Sequence, residues 1–198
     1  MKIILIGASG TIGKKIATAV EKDHELIRVG SKSGDLRVDI SSPASIEKLF
    51  KETGPFDTLI SAAGDGHFGP LKSMTDADFR KGLDSKLMGQ INLVLMGQHH
   101  IRPKGSFTLT AGILSQDPVP YGANLSAVNG ALEGFGRAAA IELENGVRIN
   151  VVSPGIVEDS PGYFPYFPGH IPVEMDKVVA AYIKSAFGAR TGQVYSVS

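Results

Sequence analysis

The residues with the clearest chemical meaning are three glycines in the run Gly7-Ala8-Ser9-Gly10-Thr11-Ile12-Gly13. An apolar stretch, Lys2–Ile6, precedes them, and Ile12, Ile16, Ala19 and Val20 follow at helical spacing. In that context Gly7 permits a tight turn, Gly10 lets the backbone approach a pyrophosphate, and Gly13 lets helix and strand pack closely. Unpaired N–H groups at the helix start then face the anion. Gly7, Ser9, Gly10, Thr11, Ile12 and Gly13 are therefore expected to hold the diphosphate of a dinucleotide. A second group follows the next apolar run, Glu25–Val29, which ends in Gly30-Ser31-Lys32-Ser33-Gly34. An acidic residue roughly 20 positions beyond the glycine turn binds the ribose hydroxyls of NAD, whereas a basic one accommodates the extra phosphate of NADP. Ser31 and Lys32 stand there, with no carboxylate before Asp35, which favours NADP over NAD; the competing reading makes Lys32 a solvated loop lysine. Histidine offers less. His67 follows the fourth predicted strand and could do proton work or simply sit in solvent, and His99 and His100 lie at a helix end without metal-ligand spacing, so no metal is expected.

The elements that must position these groups alternate regularly. Strands are predicted at Lys2–Ile6, Glu25–Val29, Leu36–Ile40, Asp57–Ser61, Ser106–Thr110, Val147–Val152 and Gln193–Val197. Between them fall helices after Ser42-Pro43 to about Glu52, from Asp76 to about Met96, over Asn124–Glu144 and over Glu174–Phe187. Phe79, Leu83, Leu87, Ile91 and Leu95 form one stripe of the second of these, a core or subunit-interface face. Such alternation implies a Rossmann-type α/β fold: a doubly wound parallel sheet of about seven strands with helices on both faces, binding its ligand at the carboxyl ends of the strands. At 198 residues a single dinucleotide-binding domain over 1–198 is expected. Asp159–Pro172, rich in proline and aromatic residues, is a distinct insert, either a lid over the sheet end or a static cover.

Lys plus Arg and Asp plus Glu number 20 each, so charge gives no reason to expect nucleic acid or an anionic membrane as partner. Cysteine is absent, which excludes disulfides and thiolate chemistry. With no signal-peptide pattern and no stretch of membrane-spanning length, a cytoplasmic location is expected.

Nearly the whole chain resembles the short-chain dehydrogenase/reductase family. The glycine turn Gly7–Gly13 resembles the family's variant with glycines every third residue, and Asp39, in Val38-Asp39-Ile40, resembles the acidic residue set against the adenine. Ser61-Ala62-Ala63-Gly64 matches the small half of the family's Asn-Asn-Ala-Gly. Gly130-Ala131-Leu132-Glu133-Gly134-Phe135, Asn150-Val151-Val152-Ser153-Pro154-Gly155 and Thr191-Gly192-Gln193-Val194 are close to family wording. The resemblance implies nicotinamide dinucleotide binding, with contacts at Asp39, Ile40, Ala62, Ala63, Gly64, Pro154, Gly155 and Ile156. It also implies a homodimer or homotetramer built through the two long helices.

The same resemblance implies oxidoreductase activity, but the catalytic positions depart from the pattern. The family's Tyr and Lys fall on Leu125 and Asn129, its Ser on Gly112, its helix Asn on Lys86, and the Thr after Pro-Gly near Asp159. Such a Tyr/Lys pair works because an ammonium lowers the phenol's pKa from about 10 toward operating pH. Leucine has no proton to give. Tyr121, four residues before Leu125, and Lys86 on the neighbouring helix are the candidate substitutes; otherwise Tyr121 is a packed loop aromatic. The competing functional readings are an NADP-dependent oxidoreductase of a small carbonyl or alcohol with a non-standard site, a non-catalytic NADP(H)-binding sensor, and a structural subunit.

Overall fold

A computed structural model describes residues 1–198. Seven parallel strands form one sheet in the order β3-β2-β1-β4-β5-β6-β7. They are β1 Lys2–Ile6, β2 Glu25–Gly30, β3 Leu36–Arg37, β4 Phe56–Ser61, β5 Ile101–Thr110, β6 Arg148–Pro154 and β7 Val194–Val197. The helices are α1 Thr11–Val20, α2 Pro43–Thr53, α3 Asp76–Lys81, α4 Gly89–Gly97, α5 Ala123–Glu142 and α6 Met175–Phe187. None is long and apolar enough to cross a membrane.

β1 shows why the strands read as unbroken apolar runs. Strands of a parallel sheet are covered on both faces, so alternate residues enter different cores. Ile4 and Ile6 join the layer that holds Leu49 and Phe50 of α2, Leu93 and Val94 of α4, and Val128 and Leu132 of α5. Ile3 and Leu5 join the opposite layer, with Ile16 and Val20 of α1 and Val178 and Tyr182 of α6. The order reverses at β1: β2 and β4 both pair with it, yet the chain goes on from them to opposite edges of the sheet.

Three predicted elements differ in extent. β3 stops at Arg37 rather than Ile40, because Val38–Ile40 leave the sheet and Asp39 is held by Ser45 and Ser41 instead: its N–H donates to Ser45 Oγ at 3.0 Å and its carboxylate accepts from Ser41. β5 begins at Ile101 rather than Ser106; it pairs with Phe56, breaks register where Lys104 adopts φ +63°, and resumes opposite Thr58. The long helix over 76–97 is not uniformly α. Gly82–Met88 is π-helical and joins α3 to α4.

The long helix and α5 are tied together by Asn124, which is fully buried. Its Nδ2 donates to the Phe79 carbonyl at 2.7 Å and its Oδ1 accepts from the His67 N–H at 2.8 Å. A β-carbon at Gly82 would lie 2.2 Å from that Oδ1, so glycine is what lets the amide approach. Asn124→Ala removes both bonds, leaving the His67 N–H without its acceptor while the Phe79 carbonyl keeps the Gly82 N–H, and is expected to lower stability by about 1–3 kcal/mol, read as a lower urea midpoint with unchanged slope.

Candidate functional site

A cleft of about 360 Å³ opens at the carboxyl ends of β1, β2 and β4. Its floor is the glycine turn. Gly7 adopts φ +81°, and a β-carbon there would meet the Ala62 carbonyl oxygen at 2.4 Å. A β-carbon on Gly13 would stand 2.1 Å from the Gly7 carbonyl oxygen. Backbone therefore lies against backbone at both places, which only glycine permits. Gly10 is the N-cap of α1 and offers no side-chain cap. The N–H groups of Ser9, Thr11, Ile12 and Gly13 consequently have no backbone acceptor, while Lys14 N–H reaches the Gly10 carbonyl. Such amides with the positive end of a helix dipole form an anion cradle.

Of the residues expected to hold a dinucleotide, Gly7, Ser9, Gly10, Ser31, Asp39, Ile40, Ala62, Ala63 and Gly64 line this cleft. Thr11, Ile12 and Gly13 form the first turn of α1, with Ile12 packed against the α1–α6 core. Lys32 lies in the exposed loop beyond β2 and is not part of the lining. Asp35, the first carboxylate after β2, is turned back along the strand: its Oδ2 accepts from Arg28 N–H at 2.8 Å. Asp65 and Ser85 also line the cleft, the Asp65 N–H donating to Ser85 Oγ at 3.1 Å. No local pattern marks Ser85, because it reaches the cleft from the π-helical stretch across 20 residues of chain.

Pro154, Gly155 and Ile156 line a second cleft, of about 170 Å³. It adjoins the first through Gly64, whose missing β-carbon would stand 2.7 Å from Lys86 Cα. Its walls are apolar: Phe68, Ile113, Leu114, Leu125, Tyr163 and Phe167. Besides the Tyr163 phenol, two polar side chains line it. Lys86 donates from Nζ to the Ala111 carbonyl at 3.0 Å, and Asn129 donates from Nδ2 to the next carbonyl, Gly112, at 3.2 Å. Lys86 makes no salt bridge, and desolvation alone lowers its pKa from 10.5 to about 8. The residue is half-buried and lines this cleft.

Tyr121 and Lys86 are not brought together. Tyr121 is 45% exposed, adopts φ +72° and packs edge-on against Phe68 and Tyr166, lining a separate depression with them. The phenol that does share the cleft with Lys86 is Tyr163, on the turn Pro161–Tyr166 of the insert. That insert is closed at its base by a bridge between Val157 and Val173. Tyr182 is sealed behind β5, bonded to Thr110 Oγ1 and with its pKa raised by burial. His67 faces Asp78, its Nδ1 3.7 Å from a carboxylate oxygen, and His100 stacks on Phe50. No three His, Cys, Asp or Glu side chains cluster for a metal.

The family model described as enoyl-(acyl carrier protein) reductase matches residues 7–163, from the glycine turn to the insert. The chain belongs to the short-chain dehydrogenase/reductase family. It is similar to the solved protein lin1944 from Listeria innocua, at 46% identity and TM-score 0.98 over 100% of both chains. A small-chain dehydrogenase solved in complex with NADPH is 26% identical, with TM-score 0.89 over 100% of this chain and 96% of that one. An uncharacterized oxidoreductase of Methylorubrum extorquens is 25% identical over 178 residues, 78% of this chain and 72% of the relative. The chain is shorter than its curated relatives and spans as little as 59% of one of them.

The depressed pKa of Lys86 carries a stability signature. Between pH 8 and 10.5 the unfolded chain binds a proton that the folded chain has lost, so the cost of burying the ammonium is full below about pH 8 and fades as pH rises toward 10.5. Lys86→Met is expected to be more stable than the parent at pH 7, with the gap narrowing across that window; denaturation series at pH 7, 9 and 10.5 check this.

Proposed function

We propose that this chain is an NADP(H)-dependent oxidoreductase of small carbonyl or alcohol compounds whose proton-transferring group is Lys86. The residues present fit a dinucleotide. Gly7 and Gly13 leave a cradle that a β-carbon would fill, and the free amides of Ser9, Thr11, Ile12 and Gly13 answer a diphosphate. Ser31 on the cleft wall and Lys32 beside it, with Asp35 engaged elsewhere, support NADP over NAD. The NADPH-bound relative supports the same choice. Asp39 and Ile40 would border the adenine end, and Ala62, Ala63 and Gly64 the middle of the cofactor. Pro154, Gly155 and Ile156 would lie at its nicotinamide end.

The observation that carries the reaction is an ammonium without an anionic partner in an apolar cleft adjoining that cradle. The bound cofactor supplies a hydride. Lys86 gives its proton to the carbonyl oxygen as the carbon is reduced, and the neutral amine left behind is reprotonated by water. A pKa of about 8 suits this exchange near neutral pH, where an ordinary lysine would hold its proton too firmly. Leu125, in place of a phenol, excludes water from the reacting carbonyl.

The long helix and α5 also support a homodimer or homotetramer. Leu95 and Met88 are 47% and 41% exposed, and β-carbons at Gly130 and Gly134 would meet nothing within 4 Å. An exposed helical face this small and apolar permits close approach of a second copy. Light scattering is expected to give two or four times the chain mass of 20.9 kDa.

Titration with both cofactors followed by a carbonyl panel tests the enzymatic reading. Micromolar or tighter NADPH binding is expected, with NADH at least about tenfold weaker, one decade corresponding to the loss of a single charged contact. Carbonyl-dependent NADPH oxidation should fall as pH rises through about 8. Lys86→Met should keep NADPH binding and lose about 100-fold or more in rate. Binding without oxidation of NADPH by any carbonyl would favour the sensor, and no binding would overturn both readings.

A further inference from the structure

Lys86 is a primary amine fixed at both ends in the second cleft. A β-carbon at Gly64 would lie 2.7 Å from Lys86 Cα and 3.0 Å from its Cβ and Cγ, so the stem rests against backbone. At the other end Nζ donates to the Ala111 carbonyl at 3.0 Å. Gly112, Ile113 and Leu114, which follow that carbonyl in the chain, line the cleft together with Lys86. The carbonyl is an acceptor and takes an N–H. A neutral lysine amine has two N–H bonds and one lone pair, and here the lone pair stays unspent. Desolvation alone brings the pKa down to about 8, so at that pH about half of the Lys86 side chains are neutral amines. Every other lysine is exposed except Lys2, which lines neither cleft.

We infer that Lys86 captures small apolar aldehydes covalently, as an imine, within this cleft. The lone pair on Nζ adds to the aldehyde carbon, and the π pair of the C=O bond moves to oxygen. A proton passes from nitrogen to that oxygen through water, giving a carbinolamine. The remaining nitrogen proton and the hydroxyl then leave as one water molecule, and a C=N bond forms; no oxidant or reductant is consumed. Lysines desolvated in apolar pockets are activated as nucleophiles for this step. Phe68, Ile113, Leu114, Leu125 and Phe167 take the hydrocarbon part of the aldehyde, and a cleft of about 170 Å³ limits it to a small molecule. Those walls also keep back the water that would hydrolyse the imine. Capture goes beyond the oxidoreductase reading and needs no dinucleotide. The ammonium that gives a proton and the amine that adds to a carbon are two protonation states of one nitrogen.

The full chain is incubated with benzaldehyde at pH 7, 8 and 9 without NADPH, reduced with borohydride and mapped by peptide mass spectrometry. Borohydride turns the imine into a stable secondary amine that carries one benzyl group. At pH 8 Lys86 should be labelled about tenfold or more faster than any exposed lysine, an ordinary lysine being less than about 1% neutral there. Its labelling should rise with pH through about 8, opposite to carbonyl-dependent NADPH oxidation. Lys86→Arg keeps a cation on a long stem but forms no stable imine; it should lose this label and leave those of the surface lysines unchanged. Labelling of Lys86 no faster than of the surface lysines overturns the inference, and needs no variant to fold. Glyceraldehyde, small but hydroxylated, should show little preference for Lys86; the same preference as benzaldehyde would overturn the assignment to apolar aldehydes. Labelled Lys86 without NADPH oxidation by any carbonyl leaves the inference standing and removes the oxidoreductase reading instead. NADPH oxidation with Lys86 unlabelled does the reverse.

Discussion

Everything at the ligand end of this molecule depends on backbone lying against backbone where β1 turns into α1. Gly7 presses on the end of β4 at Ala62, and Gly13 presses on Gly7. Those contacts set α1 close to the sheet, with its first amides aimed over the strand ends rather than into its own cap. They also fall where the strand order reverses, so the crevice between diverging connections opens directly above the free amides. A single methyl at either glycine would push the helix off the strand and misdirect the whole anion cradle.

That constraint is also why so much of the fold is legible in the amino-acid sequence. A parallel strand covered on both faces is apolar along most of its buried length, and Ile3–Ile6 of β1 announces itself that way, while β4 and β6 carry the signal in Leu59–Ile60 and Val151–Val152. Glycines forced by close approach stand out for the same reason, and they pointed to Gly7, Ser9 and Gly10 of the first cleft, whereas Asp39, Ile40, Ala62, Ala63 and Gly64 came from the family resemblance. β3 was misjudged because Val38 and Ile40 are apolar for a different purpose: both are buried, and both line the cleft beyond the sheet's edge. Ser85 and Asp65 were not legible, since each reaches its cleft from a segment whose course is set by tertiary packing, and of Tyr163 only the insert that carries it stood out.

The π-helical stretch is the clearest case of local pattern giving way to packing. Five apolar residues at i, i+4 spacing, Phe79 to Leu95, read as the buried stripe of one α-helix. None of them is fully buried, and the buried positions are Gly82, Gly89, Gln90, Leu93, Val94 and Gly97. A π turn rotates less per residue than an α turn, so the stripe changes phase partway along. The change lets Gln90 clamp the end of β5, its Oε1 accepting from Thr110 N–H and its Nε2 donating to the Thr110 carbonyl. It also carries Lys86, inside the π stretch, against Gly64 at the junction of the two clefts. Irregular helix is concentrated at the one place where a side chain must be delivered to the site, a common use of π-bulges.

The same part of the molecule holds two charged side chains in enclosed surroundings, and they are satisfied very differently. Glu133 on α5 is 6% exposed, yet its carboxylate accepts from Ser115 Oγ at 2.5 Å, lies within 3.4 Å of Ser153 Oγ and meets Arg137. It is a satisfied structural group, pinning the segment after β5 to α5 and β6. Lys86 has one carbonyl and no carboxylate, and its pKa falls because nothing repays its desolvation. A packed core would gain stability from Met at that position, since the side chain's stem is retained and its charge removed. An ammonium held at such a cost in an apolar cleft is the state expected of a site whose missing partner arrives with the ligand.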